Sequence, residues 1–119
     1  CIYESLALRY SSVWNKLLQH SGAETPILHI VGGGRQDALL NQFTANAIGS
    51  TVLAGPTEAT GLGNIIVQML AGKQIRSVAE GRQIIASMSD LKSYQPTDTD
   101  AWSQARETFN SIQTIHPDL

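Results

Sequence analysis

The sequence predicts an α/β fold built on a parallel βαβ unit with flanking helices, and three observations predict it. A short apolar run, Ile27–Val31, stops at three consecutive glycines, and a helical pattern starts directly behind them. A second β-type run, Thr51-Val52-Leu53-Ala54, follows that helix and is turned outward by Gly55-Pro56. A further helical pattern then begins near Thr57. Strand, helix, strand, helix in this order implies a parallel strand pair joined by a right-handed crossover.

Each element has a local cause. From Ile2 to about His20 apolar residues recur at helical spacing, with Tyr3, Ala7, Tyr10, Trp14 and Leu17 on one stripe widened by Leu6, Val13 and Leu18. Such a helix is expected to pack against something large, and Ser21-Gly22 ends it. The first strand is apolar on both faces, as an interior parallel strand should be, and wants a neighbour on each side. The second helix is expected from Asp37 to Ile48, with Leu40, Phe43 and Ala47 on its inner face and Gly49 as its stop. The third, from an N-cap at Thr57 to about Ala71-Gly72, carries Ala59, Gly63, Ile66 and Leu70 in register, its small residues allowing close approach of a backbone or ligand. Ser77 and Glu80 form a capping box that opens a fourth helix through about Ala86. Tyr94-Gln95-Pro96 reads as extended, and Thr97 or Asp98 caps a last helix with Trp102, Ala105, Phe109 and Ile112 on one face. Two parallel strands are too few for a stable sheet, so further strands are expected upstream of this segment.

Composition narrows the function classes. The 119 residues are enough for one domain or part of one, and the net charge is −2, with eight Lys and Arg that form no cluster. Neither nucleic acid nor an anionic membrane is expected as a partner. The apolar runs are too short to span a bilayer, and no signal-peptide order stands at the N-terminus. A single cysteine cannot form an internal disulfide, which suits a reducing cytoplasm. Cys1 stands where a natural chain would carry Met, so the chain reads as a piece of a longer protein.

The glycine turn is the candidate site. Gly32, Gly33 and Gly34 would let backbone N–H groups approach an anion closely, with the helix behind them adding unpaired donors and the positive end of its dipole. The competing reading is a tight strand-to-helix turn and nothing more. Arg35-Gln36-Asp37 follows where a P-loop needs its Gly-Lys-Ser/Thr, which excludes Walker-type phosphoryl transfer. Gly32 and Gly34 fit the first half of a dinucleotide fingerprint, but the second strand ends in Ala54-Gly55-Pro56 rather than an acid, which argues against a Rossmann site.

With the elements placed, the residues resemble the C-terminal part of the FGGY family of sugar kinases. The resemblance is carried in order by Glu4-Ser5-Leu6-Ala7-Leu8-Arg9-Tyr10, Val31-Gly32-Gly33-Gly34, Ala38-Leu39-Leu40-Asn41-Gln42, Ala54-Gly55-Pro56-Thr57-Glu58-Ala59-Thr60 and Gly63-Asn64-Ile65, and it extends to about Pro96. It implies the nucleotide-binding half of an actin-like, ribonuclease-H-like ATPase fold, here residues 1–119 without the upstream domain. It implies ATP with Mg²⁺, and transfer of the γ-phosphate to a ketose, the 1-hydroxyl of L-rhamnulose, with a xylulose or glycerol kinase of the same family as the alternative. A non-catalytic nucleotide- or protein-binding αβ module is the alternative from another class. By resemblance Gly33 and Gly34 meet the nucleotide, with Gly32 in the same turn, and Asp37 stands where an Asn usually lies beside the adenine. Arg35 and Asn46 replace a small polar residue and a common Asp. The family's general base, an Asp in the interdomain cleft, and its β- and γ-phosphate loops match nothing in these residues, so no catalytic residue is assigned and the segment alone is expected to be inactive. The remainder of the same kinase chain is the implied partner.

Single residues add little chemistry. His29 reads as a core histidine, and His20 and His116 have no metal-ligand spacing. Glu58 could face the nucleotide's metal or favour a helix N-terminus through its charge, and the second reading is preferred. Trp14 and Trp102 read as core; Cys1, Ser5 and Ser77 have no nucleophile context.

Overall fold

The structure, a computed structural model, describes residues 2–22, 26–88 and 91–115, the side chain of Gln113 excepted. Cys1 and His116 lie outside the described residues. The elements run α1 (Ile2–Ser21), β1 (Leu28–Ile30), a 3₁₀ turn (Gly32–Gln36), α2 (Ala38–Ile48), β2 (Val52–Ala54), α3 (Ala59–Ala71), α4 (Val78–Met88), β3 (Lys92–Tyr94) and α5 (Thr99–Ile115). The expected βαβ unit is present: β1 pairs parallel with β2, with Leu28 opposite Val52 and Ile30 opposite Ala54, and α2 connects them. The sheet is mixed rather than all parallel. The extended stretch before Gln95 forms β3, which pairs antiparallel with β2 and gives the order β1-β2-β3.

α2 begins where Asp37 accepts a hydrogen bond from the Leu40 N–H at 3.0 Å, and ends where Gly49 turns left-handed at φ 64°. It packs on α1, β2, β3 and α5, and its buried face is Asn41, Thr44, Ala45, Asn46, Ala47 and Ile48. Of the expected inner residues Ala47 is buried, while Leu40 and Phe43 are only half-buried. The core joins Trp14 of α1 to Ala45 and Ile48 of α2 and Val52 of β2, with Leu18, Leu28, Ile30 and Tyr94 packed against it. Deep burial is thus concentrated around one helix and one strand.

α1 meets that core along a narrower line than its pattern suggests. Ala7, Leu8, Ser11 and Trp14 are buried, but Tyr3, Leu6, Tyr10, Val13 and Leu17 remain exposed. Ile27 and Val31, expected inside β1, lie beyond its ends and are exposed too. His29 is exposed rather than a core histidine. It alternates with Leu28 and Ile30, so it projects from the sheet face opposite the one that meets the core.

α3 and α4 form a hairpin packed chiefly on each other. Ile66 fits against Gly81, where an added Cβ would come within 2.6 Å of the isoleucine side chain. Of the four expected inner residues of α3 only Ile66 is buried, and a Cβ at Gly63 would meet nothing within 4 Å. α3 starts at Ala59, one turn residue after Glu58, so Thr57 is not its N-cap. The Ser77 hydroxyl accepts from the Glu80 N–H at 3.2 Å as a capping box requires, but the Glu80 carboxylate accepts from the Arg76 N–H at 2.8 Å rather than from Ser77 itself. Thr97 does not cap α5: its N–H and hydroxyl both donate to Asn46. The hairpin stretches the molecule to 55 × 28 × 26 Å, with a radius of gyration of 17.1 Å. A compact chain of this length would have about 13.5 Å.

Candidate functional site

The glycine turn leaves β1 at its C-terminal end, next to the end of the parallel strand β2, which is where open α/β sheets place their ligand crevices. Gly55 N–H donates to Ile30 C=O at 2.7 Å and Gly32 N–H donates to Pro56 C=O at 3.3 Å, so the two strand ends hold each other. A Cβ at Gly55 would crowd Val31 at 3.1 Å, which explains a glycine there.

The three glycines are not equivalent. Gly32 has φ +75°, a conformation that only glycine takes without strain. Gly33 and Gly34 have no such need. A Cβ at Gly33 would meet nothing within 4 Å, and one at Gly34 would make an ordinary contact with Ile30 at 3.4 Å. Both are exposed. Nothing within the described chain requires glycine at either position.

The helix behind the turn differs from the expected anion cradle. The Asp37 carboxylate itself occupies the α2 N-terminus, accepting from the Leu40 and Leu39 N–H groups. The Leu40 N–H first, then the Tyr3 hydroxyl and last the Leu39 N–H hold its pKa below the ordinary carboxylate range. The same contact raises the Tyr3 pKa, because Asp37 accepts a hydrogen bond from the phenol and its charge disfavours a phenolate. A negative group already sits where a phosphate would meet the helix dipole, so the α2 N-terminus is not open to an anion. Asn41, 1 % exposed, donates from Nδ2 to Arg35 C=O at 3.1 Å and ties that turn to the helix.

Gly32, Gly33, Gly34 and Asp37 therefore lie together on one short arch. Tyr3 and Asn41 are neighbours of the arch that sequence reasoning does not find. The periodicity puts Tyr3 on the inner stripe of α1, and no spacing rule joins two side chains 34 residues apart; the amide of Asn41 carries no motif. Glu58 is exposed and stands at the N-terminus of α3 without a side-chain cap bond. His20 bonds the Lys16 carbonyl oxygen at 2.7 Å. Among the described residues no three His, Cys, Asp or Glu side chains come together as a metal site.

Residues 1–72 match the model of the FGGY family of carbohydrate kinases, C-terminal domain. The chain belongs to the FGGY family of carbohydrate kinases. It is also 49 % identical over 111 residues to a rhamnulokinase of Bacteroides thetaiotaomicron, an alignment that covers 93 % of this chain and 23 % of that protein. The resemblance read from the ordered segments is thereby shown, and with it a kinase domain of the actin-like, ribonuclease-H-like class, of which the present residues form a small α/β part with a mixed three-stranded sheet. The family match ends at residue 72, so α4, β3 and α5 lie beyond it but largely within the rhamnulokinase alignment. Among the described residues no helix is long and apolar enough to cross a membrane.

Proposed function

We propose that these residues are the ATP-binding C-terminal part of a cytoplasmic kinase that phosphorylates L-rhamnulose to L-rhamnulose 1-phosphate. The observation that carries this reading is the pair Gly33 and Gly34, exposed on an arch at the end of parallel strands and unexplained by φ or by packing within the chain. A bare backbone there suits a ligand that approaches to contact distance, and the family's nucleotide is the natural candidate. The rhamnulokinase similarity supports the choice of sugar.

On this reading the arch takes the adenosine and α-phosphate side of ATP. Asp37 can accept a bond from the adenine amino group, since a carboxylate offers about four acceptor positions and the Leu40 and Tyr3 bonds leave room. It cannot donate to a ring nitrogen as an amide would. The described residues offer no ligand set for Mg²⁺, which would arrive with the nucleotide and be held by other parts of the full-length kinase. The catalytic base and the grip on the β- and γ-phosphates belong to those parts as well.

The test is sugar-dependent ATP turnover by the full-length kinase with L-rhamnulose, xylulose and glycerol side by side. Turnover strongest with L-rhamnulose is expected. Preference for either other sugar overturns the substrate, and no ATP turnover with any of them overturns the kinase reading.

A further inference from the structure

The two halves of α2 are held by different parts of the chain. Its N-terminal end carries the glycine arch through Asp37 and Asn41. Its C-terminal half is gripped by the segment from Gln95 to Arg106, which lies beyond the family match. Asn46, 6 % exposed, is the centre of that grip. Its Oδ1 accepts from Gln42 Nε2 at 2.8 Å, from the Thr97 N–H at 2.9 Å and from the Thr97 hydroxyl at 3.2 Å. Gln42 Nε2 also donates to Gln95 C=O at 2.7 Å. One residue on from Asn46, the carbonyl of Ala47 is among the last four of α2, which have no partner within the helix. It accepts from Arg106 Nη1 at 3.2 Å and from the Ser11 hydroxyl at 2.8 Å, and the guanidinium adds a positive charge at the negative end of the helix dipole. Phe43 and Trp102 close the contact with ring centroids 5.2 Å apart at 58°.

We propose that Gln95–Arg106 is a brace that positions the glycine arch for ATP, with Asn46, Thr97 and Arg106 as positioning residues. The inference rests on the nucleotide reading of the arch. An 11-residue helix is a rigid rod about 16 Å long, so fixing its C-terminal half fixes where its N-terminal end stands against the strand ends. Removing the brace should leave α2 folded, because Trp14, Ile48, Val52 and the Ser11 bond still hold it. What is lost is the placement of the arch. On the nucleotide reading of the arch, the effect should fall on ATP rather than on the sugar.

The experiment uses the full-length kinase carrying Thr97→Val with Arg106→Ala, and separately Asn46→Ala and Asn46→Asp. ATP affinity is measured by calorimetry, KM for ATP and for L-rhamnulose by turnover, and Tm by melting. The double variant should raise the Kd and KM for ATP about three- to tenfold while the sugar KM stays within about twofold. Asn46→Asp keeps the acceptor oxygen and should stay near the original value, whereas Asn46→Ala should show the defect. If Asn46→Ala fails to fold, the double variant, which alters less deeply buried side chains, decides. Unchanged ATP affinity with a lowered Tm overturns the brace, as does an equal rise of both KM values. Gly33→Val serves as the reference. If it weakens ATP binding and the brace variants do not, only the brace falls; if it does not, the nucleotide reading of the arch falls first.

Discussion

α2 and α1 are both amphipathic helices of this chain, and they end in opposite circumstances. Six of the eleven residues of α2 are buried, surrounded by α1, β2, β3 and α5, and its polar buried groups Asn41, Thr44 and Asn46 each have partners. α1 is longer, yet only four of its twenty residues are buried. Beside it Tyr10, Val13, Trp14 and Leu17 form an apolar groove of about 450 Å³ with Leu28 and Ile30 of β1, and among the described residues β1 pairs only with β2. The indole nitrogen of Trp14 is buried there without a hydrogen-bond partner among the described residues. Periodicity states which residues should be covered; only the structure shows which are covered by this chain itself. The difference marks the surface that the rest of the kinase is expected to cover.

The comparison breaks most readily at Trp14. Trp14→Ala empties the centre of the shared core and should cost about 3–5 kcal/mol by urea unfolding of the 119-residue chain. Leu17→Ser, on the open face at 56 % exposure, should change the same measurement by no more than about 0.5 kcal/mol. In the full-length kinase Leu17→Ser should cost about 2 kcal/mol or more, because the residue would then be covered. Equal small effects in both settings would mean that nothing covers α1.

Self-association of the 119-residue chain sharpens the same contrast. Its open groove and the free edge of β1 should give a mass by light scattering that rises with concentration. Val13→Glu together with Leu17→Lys should suppress that rise. The chain should show no ATP turnover with L-rhamnulose in either form. A strictly monomeric original chain would show that the groove is closed in solution, and ATP turnover by it would place catalytic residues in this segment.

Much of the local structure was legible because its causes are local. The Gly49 stop and the Ser77–Glu80 pair at α4 follow from local chain signals within four residues, whereas Asp37, expected as the first helical residue, is the N-cap of α2. Tyr94-Gln95-Pro96 reads as extended, but the strand is Lys92–Tyr94, since a short polar run becomes a strand through a neighbour about 40 residues earlier. His29 was misplaced because an apolar run was read as buried on both faces, and the covered face depends on what packs above the sheet. The arch was legible as a glycine triplet, but the distinction between Gly32, which needs its φ, and Gly33 and Gly34, which do not, required the backbone. The bond from Tyr3 to Asp37 and the hub at Asn46 join residues 34 and 51 apart in sequence, and no pattern within one element contains them.

A stability effect smaller than that of Trp14 belongs to Asp37. Loss of its cap in Asp37→Ala should lower Tm by about 4 °C, and Asp37→Asn by less. Its folded-state pKa lies below that of the unfolded chain. Its contribution is therefore complete above the ordinary aspartate value, about 3.9, and is lost as pH falls below it. The stability difference between the original chain and Asp37→Asn should shift toward the variant as the pH is lowered through that range; a difference independent of pH would remove the carboxylate from the cap. For ATP, Asp37→Asn in the full-length kinase should be neutral or favourable, while Asp37→Leu should weaken binding about tenfold. Equal ATP affinity for all three side chains would take Asp37 out of the site.

The most direct measurement is ATP binding by the full-length kinase carrying Gly33→Val. A valine there has open space within the chain, so Tm and the KM for L-rhamnulose should stay unchanged while the affinity for ATP falls at least tenfold, because the new side chain stands where the nucleotide meets the arch. Unaltered ATP affinity in the folded variant would contradict the assignment of the glycine arch to the nucleotide.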